Sequence, residues 1–228
     1  MIGIGVSCLN LSLARSPASL IHINDVAGVR RQIARMTRKI LIVNGHPDSR
    51  PERFCAGLAF AYIDGAHRAG HELRRIDVGS LAFPLLTRNE DFSRPATCPD
   101  IARAQRDIQW AEHLVFVFPL WLGAAPALLK GFLEMVACGG FGFDAGSAGN
   151  PKRGLKGKSA RLIVTMGMPT TAFRLVFGGF GVRAFERGIL RLAGAFPVHK
   201  TYCGAVELSA EHRDACLRTV SALGSRGT

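Results

Sequence analysis

No stretch of this 228-residue chain stays apolar long enough to cross a bilayer; each hydrophobic run meets Pro, Gly or charge first, which excludes a transmembrane helix. No C-x-x-C pair occurs, and no Cys/His spacing of the kind that holds a metal. The six cysteines, Cys8, Cys55, Cys98, Cys138, Cys203 and Cys216, therefore read as reduced cytoplasmic thiols, mostly core filler, and imply no disulfide framework. Acidic residues are few, 17 Asp and Glu against 29 Lys and Arg, for a formal net charge of +12. Yet no block of five or six like charges appears, and a nucleic-acid surface would cluster them, so no nucleic-acid partner is expected. The excess charge is better suited to drawing an anionic cofactor toward a cleft. Internal repeats and signs of a second domain are also missing. What is present is core: 48% hydrophobic residues and a mean hydropathy of +0.17 describe a globular chain of one-domain size.

The chain is organised around residues 113–136. Leu114 to Phe118 is an unbroken β-branched and aromatic run, the pattern of a strand buried on both faces of a parallel sheet. Pro119 ends it. Pro126 then opens a run with Leu129, Phe132, Leu133 and Val136 at helical spacing, so Leu120 to Ala125 must be a tight turn at a strand's carboxyl end. Ligands bind at that end of open α/β sheets. Trp121 beside Gly123, Ala124 and Ala125 offers apolar cover with backbone amides left reachable.

Residues 1–35 do not resemble the rest. They hold one acid, Asp25, against Arg15, Arg30, Arg31 and Arg35, and show no clear element before about Asn24. They read as an extension, either an over-extended reading frame ahead of a start at Met36 or a targeting peptide; the folded domain is 36–228. Lys39 to Val43 is a first core strand, leading through Asn44-Gly-His-Pro-Asp-Ser-Arg to a helix from near Glu52, with Phe54, Leu58, Tyr62, Ile63 and Ala66 on one face. A strand, a polar turn and a helix N-terminus form an anion site, with Ser49, Arg50 and Arg53 supplying a hydroxyl and charge. His67 and His71 stand four apart but flank Gly70 without a carboxylate, so they are read as an exposed helix end and no metal is assigned. Leu73 to Val78 is a second strand; Leu81 to Pro99 is a long loop; Pro99 opens a helix with Ile101, Ala104 and Ile108 inward. Cys138 to Lys158 reads as a flap or short hairpin. Arg161 to Thr165 is a fourth strand ending in Met166-Gly-Met-Pro, followed by a helix carrying Phe185, Ile189, Leu190 and Ala193. Lys200 to Val206 is a fifth strand, and a last helix starts at Ser209.

Five strands alternating with helices give an α/β fold with a doubly wound parallel sheet, and right-handed crossovers in the order 2-1-3-4-5 bring the turns after strands one, three and four around one crevice. The segments Ile42-Val-Asn-Gly-His-Pro-Asp-Ser, Phe118-Pro-Leu-Trp-Leu-Gly-Ala-Ala-Pro-Ala-Leu-Leu-Lys-Gly and Leu162-Ile-Val-Thr-Met-Gly resemble the flavin-dependent NAD(P)H:quinone oxidoreductases, whose fold is a flavodoxin-like three-layer sandwich, over residues 38–225. The resemblance implies FAD or FMN as cofactor, NAD(P)H as electron donor, and two-electron reduction of a quinone or similar electrophile in ping-pong order. It places His46, Ser49, Arg53 and Phe54 at the flavin phosphate or pyrophosphate. It lays Pro119, Leu120, Trp121, Leu122 and Gly123 along the isoalloxazine, and sets Thr165, Met166, Gly167 and Met168 at the ring's other edge. A homodimer with the site between subunits is implied as well, in the cytoplasm.

The chain departs from the family pattern after the fourth strand. The family often has Gly-Gly there, then a Tyr and a His; this chain has Gly167-Met168-Pro169, the aromatic is Phe173, and no His occurs from there to Phe196. Thr171 or Arg174 stand where the missing donors would be. Two other functions compete with the enzyme: a flavodoxin-type electron carrier, which the basic charge opposes, and an ancillary flavoprotein regulating a membrane transporter.

Overall fold

In the computed structural model, which describes residues 37–144 and 152–228, the centre of the fold is three strands that read as unbroken apolar runs: β1 (Lys39–Asn44), β3 (His113–Pro119) and β6 (Ser159–Thr165). Every residue of β3 and β6 is buried, because helices cover both faces. The edges are β2 (Glu72–Asp77) and β7 (Val198–Cys203), whose partly exposed residues fit strands covered less completely. All neighbours pair in parallel, in the order β2-β1-β3-β6-β7, which is the 2-1-3-4-5 order of the flavodoxin-like sandwich. The expected flap contains a separate antiparallel hairpin of β4 (Phe143–Asp144) and β5 (Lys152–Arg153). The extension expected over residues 1–35, and Cys8 within it, lie outside the described residues.

Helices α1 (Phe54–Arg68) and α7 (Ala210–Arg226) cover one face, closing over Ile40, Ile42, Val115, Val117, Ile163 and Cys203. They touch backbone to backbone: a Cβ on Gly65 would lie 2.0 Å from the Ser221 carbonyl oxygen, and one on Gly224 2.1 Å from that of Tyr62. A short α2 (Asn89–Phe92) lies within the long loop. On the other face, α3 (Pro99–Trp110) and α4 (Ala127–Ala137) are followed by α5 (Thr170–Leu175) and α6 (Phe180–Ala184), and α6 widens into a π-helical stretch over Phe185–Arg191. Phe185 stacks on Phe118 at 5.2 Å and meets Phe116 edge-on, and burial of each such ring stabilises the fold by about 1.5–3 kcal/mol. Among the described residues no helix is long and apolar enough to cross a membrane.

Three sequence expectations need correction. The last strand is Val198–Cys203, earlier than Lys200 to Val206, because the edge strand is set by pairing Ala160 to Val198 and its polar residues hid it. α1 begins at Phe54, with Arg53 still extended as its N-cap, so Glu52 belongs to the turn. His71 is no exposed helix end: its Nδ1 accepts the Arg38 backbone N–H at 3.2 Å, and its Nε2 is buried.

Candidate active site

The three turns converge at the carboxyl edge of the sheet, and each is held by a different device. The first, after β1, is wound by side chains. Asn44, fully buried, donates from Nδ2 to Asp77 at 2.9 Å and accepts the His46 N–H at 3.3 Å. His46 Nδ1 accepts the Asp48 N–H at 3.0 Å, and Asp48 accepts the Arg50 N–H at 3.1 Å. Each side chain thus bonds the backbone two residues on, the mechanism by which Asn and Asp nucleate turns. Gly45 N–H donates to the Val117 carbonyl at 2.8 Å and seats the turn against β3.

The charge distribution here follows from the same network. Asp48 accepts from both Arg50 and Arg53, at 2.6 Å each, and these contacts hold its carboxyl well below the usual carboxylate range. Arg50 and Arg53 are therefore tied to the turn through Asp48, next to Ser49 in sequence. His46 has its pKa lowered chiefly by burial, with Arg53 adding to the effect against an opposing Asp48. With Nδ1 accepting, the neutral ring carries its proton on Nε2, where it can donate. The N-terminal amides of α1 follow directly at Phe54 and give the positive helix end expected of an anion site.

The second turn is wound by backbone. Leu120 N–H donates to the Thr165 carbonyl at 2.7 Å, and Trp121 and Ala124 exchange hydrogen bonds at 2.9 and 3.0 Å. Between them Leu122 and Gly123 have φ of 48° and 79°, both left-handed, as in a tight hairpin turn. Gly123 adopts this freely; Leu122 does so at a cost of order 1 kcal/mol. The amides of Leu122 and Gly123 donate to nothing among the described residues. Trp121 is half exposed, and its ring meets that of His46 edge to face, 5.6 Å between centroids. That contact brings the first two predicted turns together.

The third turn follows β6. Thr165 turns its hydroxyl inward to Cys55 Sγ, 3.4 Å away, and burial pushes the Cys55 thiol up to about 11, so it is an inert filler. Met166 is buried and donates its N–H to the Cys203 carbonyl at 3.0 Å, which leaves exposed Gly167 and half-buried Met168 as the reachable part. Thr171 and Arg174 are both exposed on α5. Phe173 is buried instead, 6.0 Å from the ring of Tyr202. Tyr202 on β7 had no sequence signal; burial foremost raises its pKa, against Arg174 and Arg183.

α6 completes the site, which the apolar spacing of Phe185, Ile189, Leu190 and Ala193 beyond it gave no sign of. A Cβ on Gly181 would stand 2.0 Å from the Gly123 carbonyl oxygen, so the start of α6 lies directly on the Trp121 turn. Leu175, Val176, Phe177 and Phe180, beside that contact, are exposed together with Trp121 and Leu122. Among the described residues no group of three or more His, Cys, Asp or Glu could hold a metal.

The description of the flavodoxin-like fold matches residues 38–223. This chain belongs to that family. It is 32% identical over 151 residues to ribosyldihydronicotinamide dehydrogenase [quinone] of Mus musculus, covering 57% of this chain and 64% of that protein. It is 39% identical over 96 residues to the glutathione-regulated potassium-efflux system ancillary protein KefG of Cronobacter sakazakii, covering 42% of the chain and 50% of that protein. The family member therefore spans less than two thirds of these relatives' lengths. The crystal structure of Smu.1420 from Streptococcus mutans UA159 superposes with a TM-score of 0.66 at 27% identity, covering 82% of this chain and 98% of that one.

Proposed function

We propose that this flavodoxin-like protein is a flavin-dependent NAD(P)H oxidoreductase that reduces quinones or similar electrophiles, with FAD or FMN held across the three turns. The observation that carries this is the His46–Trp121 contact, which unites a phosphate-type turn with a turn offering two unengaged amides and an exposed indole. The donor set fits the group: a flavin presents phosphate, ring oxygens and ring nitrogens, all acceptors, and the turns present donors. His46 Nε2–H, Ser49, Arg53 and the Phe54 end of α1 would hold the phosphate. The Leu122 and Gly123 amides would hold the ring's polar edge, Trp121 would cover it, and Gly167 and Met168 would border it. When bound, the flavin supplies two-electron hydride chemistry between a nicotinamide and an electrophile, in ping-pong order. The protein's part is preorganised hydrogen bonding, exclusion of water by Trp121 and the apolar α5–α6 segment, and orientation. No side chain is assigned as proton donor. Thr171 and Arg174 are the candidates on α5.

The exposed residues Leu175, Val176, Phe177 and Phe180, continuous with Trp121 and Leu122, support a homodimer whose partner closes the site. The deciding experiment purifies the full chain, releases any chromophore by heat for chromatography, and follows NADH and NADPH oxidation with menadione. Yellow protein with turnover is expected. Colourless protein that also fails to take up added FAD or FMN would refute the assignment. The match to the potassium-efflux ancillary protein supports a second reading, regulation of a transporter. Its signature is tight association with membrane vesicles from transporter-containing cells.

A further inference from the structure

Three cysteines gather beneath the third turn, on the face that α1 and α7 cover. Cys55 and Cys203 are buried with Ile40, Ile42 and Ile163, and Cys216 packs against the same cluster from α7. The path of the chain brings the last two together. β7 ends at Cys203 at the carboxyl edge, and Ser209 Oγ caps α7 by accepting the His212 N–H at 3.1 Å. α7 then runs back to the amino edge, where Arg38 donates to the Gly227 carbonyl at 2.6 Å. His212 Nε2 lies 2.8 Å from the carbonyl oxygen of Gly204, the residue after Cys203. Cys216 follows His212 by four residues, so it sits on the same face of α7 one turn further back, and its thiol is in hydrogen-bond contact with that of Cys203.

The two sulfurs are unequal. Cys203 is buried, and burial foremost, then Cys216 and Cys55, raises its pKa, so it stays protonated near pH 7. Cys216 is only partly buried and is the sulfur an oxidant reaches first. From Ala210 to Thr219 no residue of α7 is buried, so this half of the helix is free to let the sulfurs close from contact to the bonding distance of about 2 Å. The far half is clamped, Gly224 lying against Tyr62. The segment after Cys203 is also the floor of the third turn. The Cys203 carbonyl accepts the Met166 N–H, Ala205 N–H donates to the Met168 carbonyl at 3.0 Å, and a Cβ on Gly204 would stand 2.7 Å from the Thr170 nitrogen.

We propose that Cys203 and Cys216 are a redox pair that a hydroperoxide closes to a disulfide, tightening the backbone on which the third turn rests. The Cys216 sulfur attacks one peroxide oxygen, the O–O bond breaks, and the other oxygen leaves with the thiol proton, as water when the oxidant is hydrogen peroxide. Cys203 then attacks the Cys216 sulfenic sulfur; the S–S bond forms, and the sulfenic hydroxyl leaves with the Cys203 proton as a second water. The two thiols give up the two electrons that reduce the peroxide.

The test treats the full reduced chain with hydrogen peroxide and reads intact mass, the unreduced digest and amide hydrogen exchange, none of which depends on flavin turnover. The mass falls by two hydrogens, the digest joins the peptides of Cys203 and Cys216, and dithiothreitol reverses both. In the oxidised chain the amides of Met166 and Ala205 exchange severalfold more slowly. Cys216→Ala, at a half-buried position, abolishes the cross-link, and Cys98→Ala leaves it intact. Oxygen added to Cys216 with Cys203 still free, a bond to any other cysteine within or between chains, or a cross-link that leaves exchange at Met166 unchanged would overturn the proposal.

Discussion

Replacing Gly181 by Ala tests whether the Trp121 turn owes its shape to the start of α6. A Cβ at 181 would stand 2.0 Å from the Gly123 oxygen and 2.7 Å from Ala124 Cα, more than an ångström inside contact, and both are backbone atoms that cannot rotate away. Overpacking of this kind costs about 1–3 kcal/mol. In a helix, Gly→Ala returns about 1 kcal/mol, and Gly181 has no left-handed φ to oppose it. The net expectation is a loss of up to about 2 kcal/mol, or as much as roughly 8 °C in Tm for a domain of this size. The displaced turn would also weaken flavin binding about tenfold, read by quenching of flavin fluorescence. Gly188→Ala is the matched control. A Cβ there meets nothing within 4 Å, so the same substitution seven residues on stabilises by about 0.4–1 kcal/mol and leaves flavin affinity alone. If Gly181→Ala is as stable and binds flavin as tightly as the native chain, the contact between α6 and the turn does not shape the site.

Trp121→Ala removes a half-exposed ring that contacts His46, so flavin affinity falls about tenfold or more while Tm moves little; equal affinity would exclude the indole from the site. Phe177→Glu with Phe180→Glu places charge on the exposed apolar segment and yields monomers in sedimentation, with menadione turnover lost; an unchanged mass would put any dimer interface elsewhere. His113 makes stability pH-dependent. Its folded pKa of about 3 lies below the unfolded value of about 6.5, so between these values the unfolded chain binds a proton that the folded one does not. Its contribution is complete above about pH 6.5 and declines as pH falls toward 3, by at most about 1.4 kcal/mol per pH unit. Tm measured from pH 7 to 4 in chloride falls less steeply for His113→Gln than for the native chain; parallel curves would contradict the assignment.

The centre of the fold was legible because β1, β3 and β6 are buried on both faces and leave unbroken apolar runs, and because Pro119 and Pro126 bracket the turn between strand and helix. β7 was misplaced because an edge strand reading His199-Lys200-Thr201-Tyr202 carries no such run. The site was legible in its turns and not in its walls. Asn44 and Trp121 wind their turns through bonds to His46 and Ala124, two and three residues on, whereas Gly181 acts on Gly123 from 58 residues away, a proximity no local pattern reveals. His71 was misread for the same reason, since its partner Arg38 precedes it by 33 residues. The Asp48 grip on Arg50 and Arg53 was within reach of sequence, being spaced two and five residues apart, but the arginines read more naturally as free charge.

Leu122 is fully exposed and stands on a left-handed backbone that Gly or Asn would occupy at lower cost. Within one isolated chain such a residue is a net loss, since it buries nothing and strains its own turn. Its free-energy return can come only from a state in which something else covers it. The tip of the turn is in that sense unfinished surface, the part of the molecule that the proposed dimer would complete.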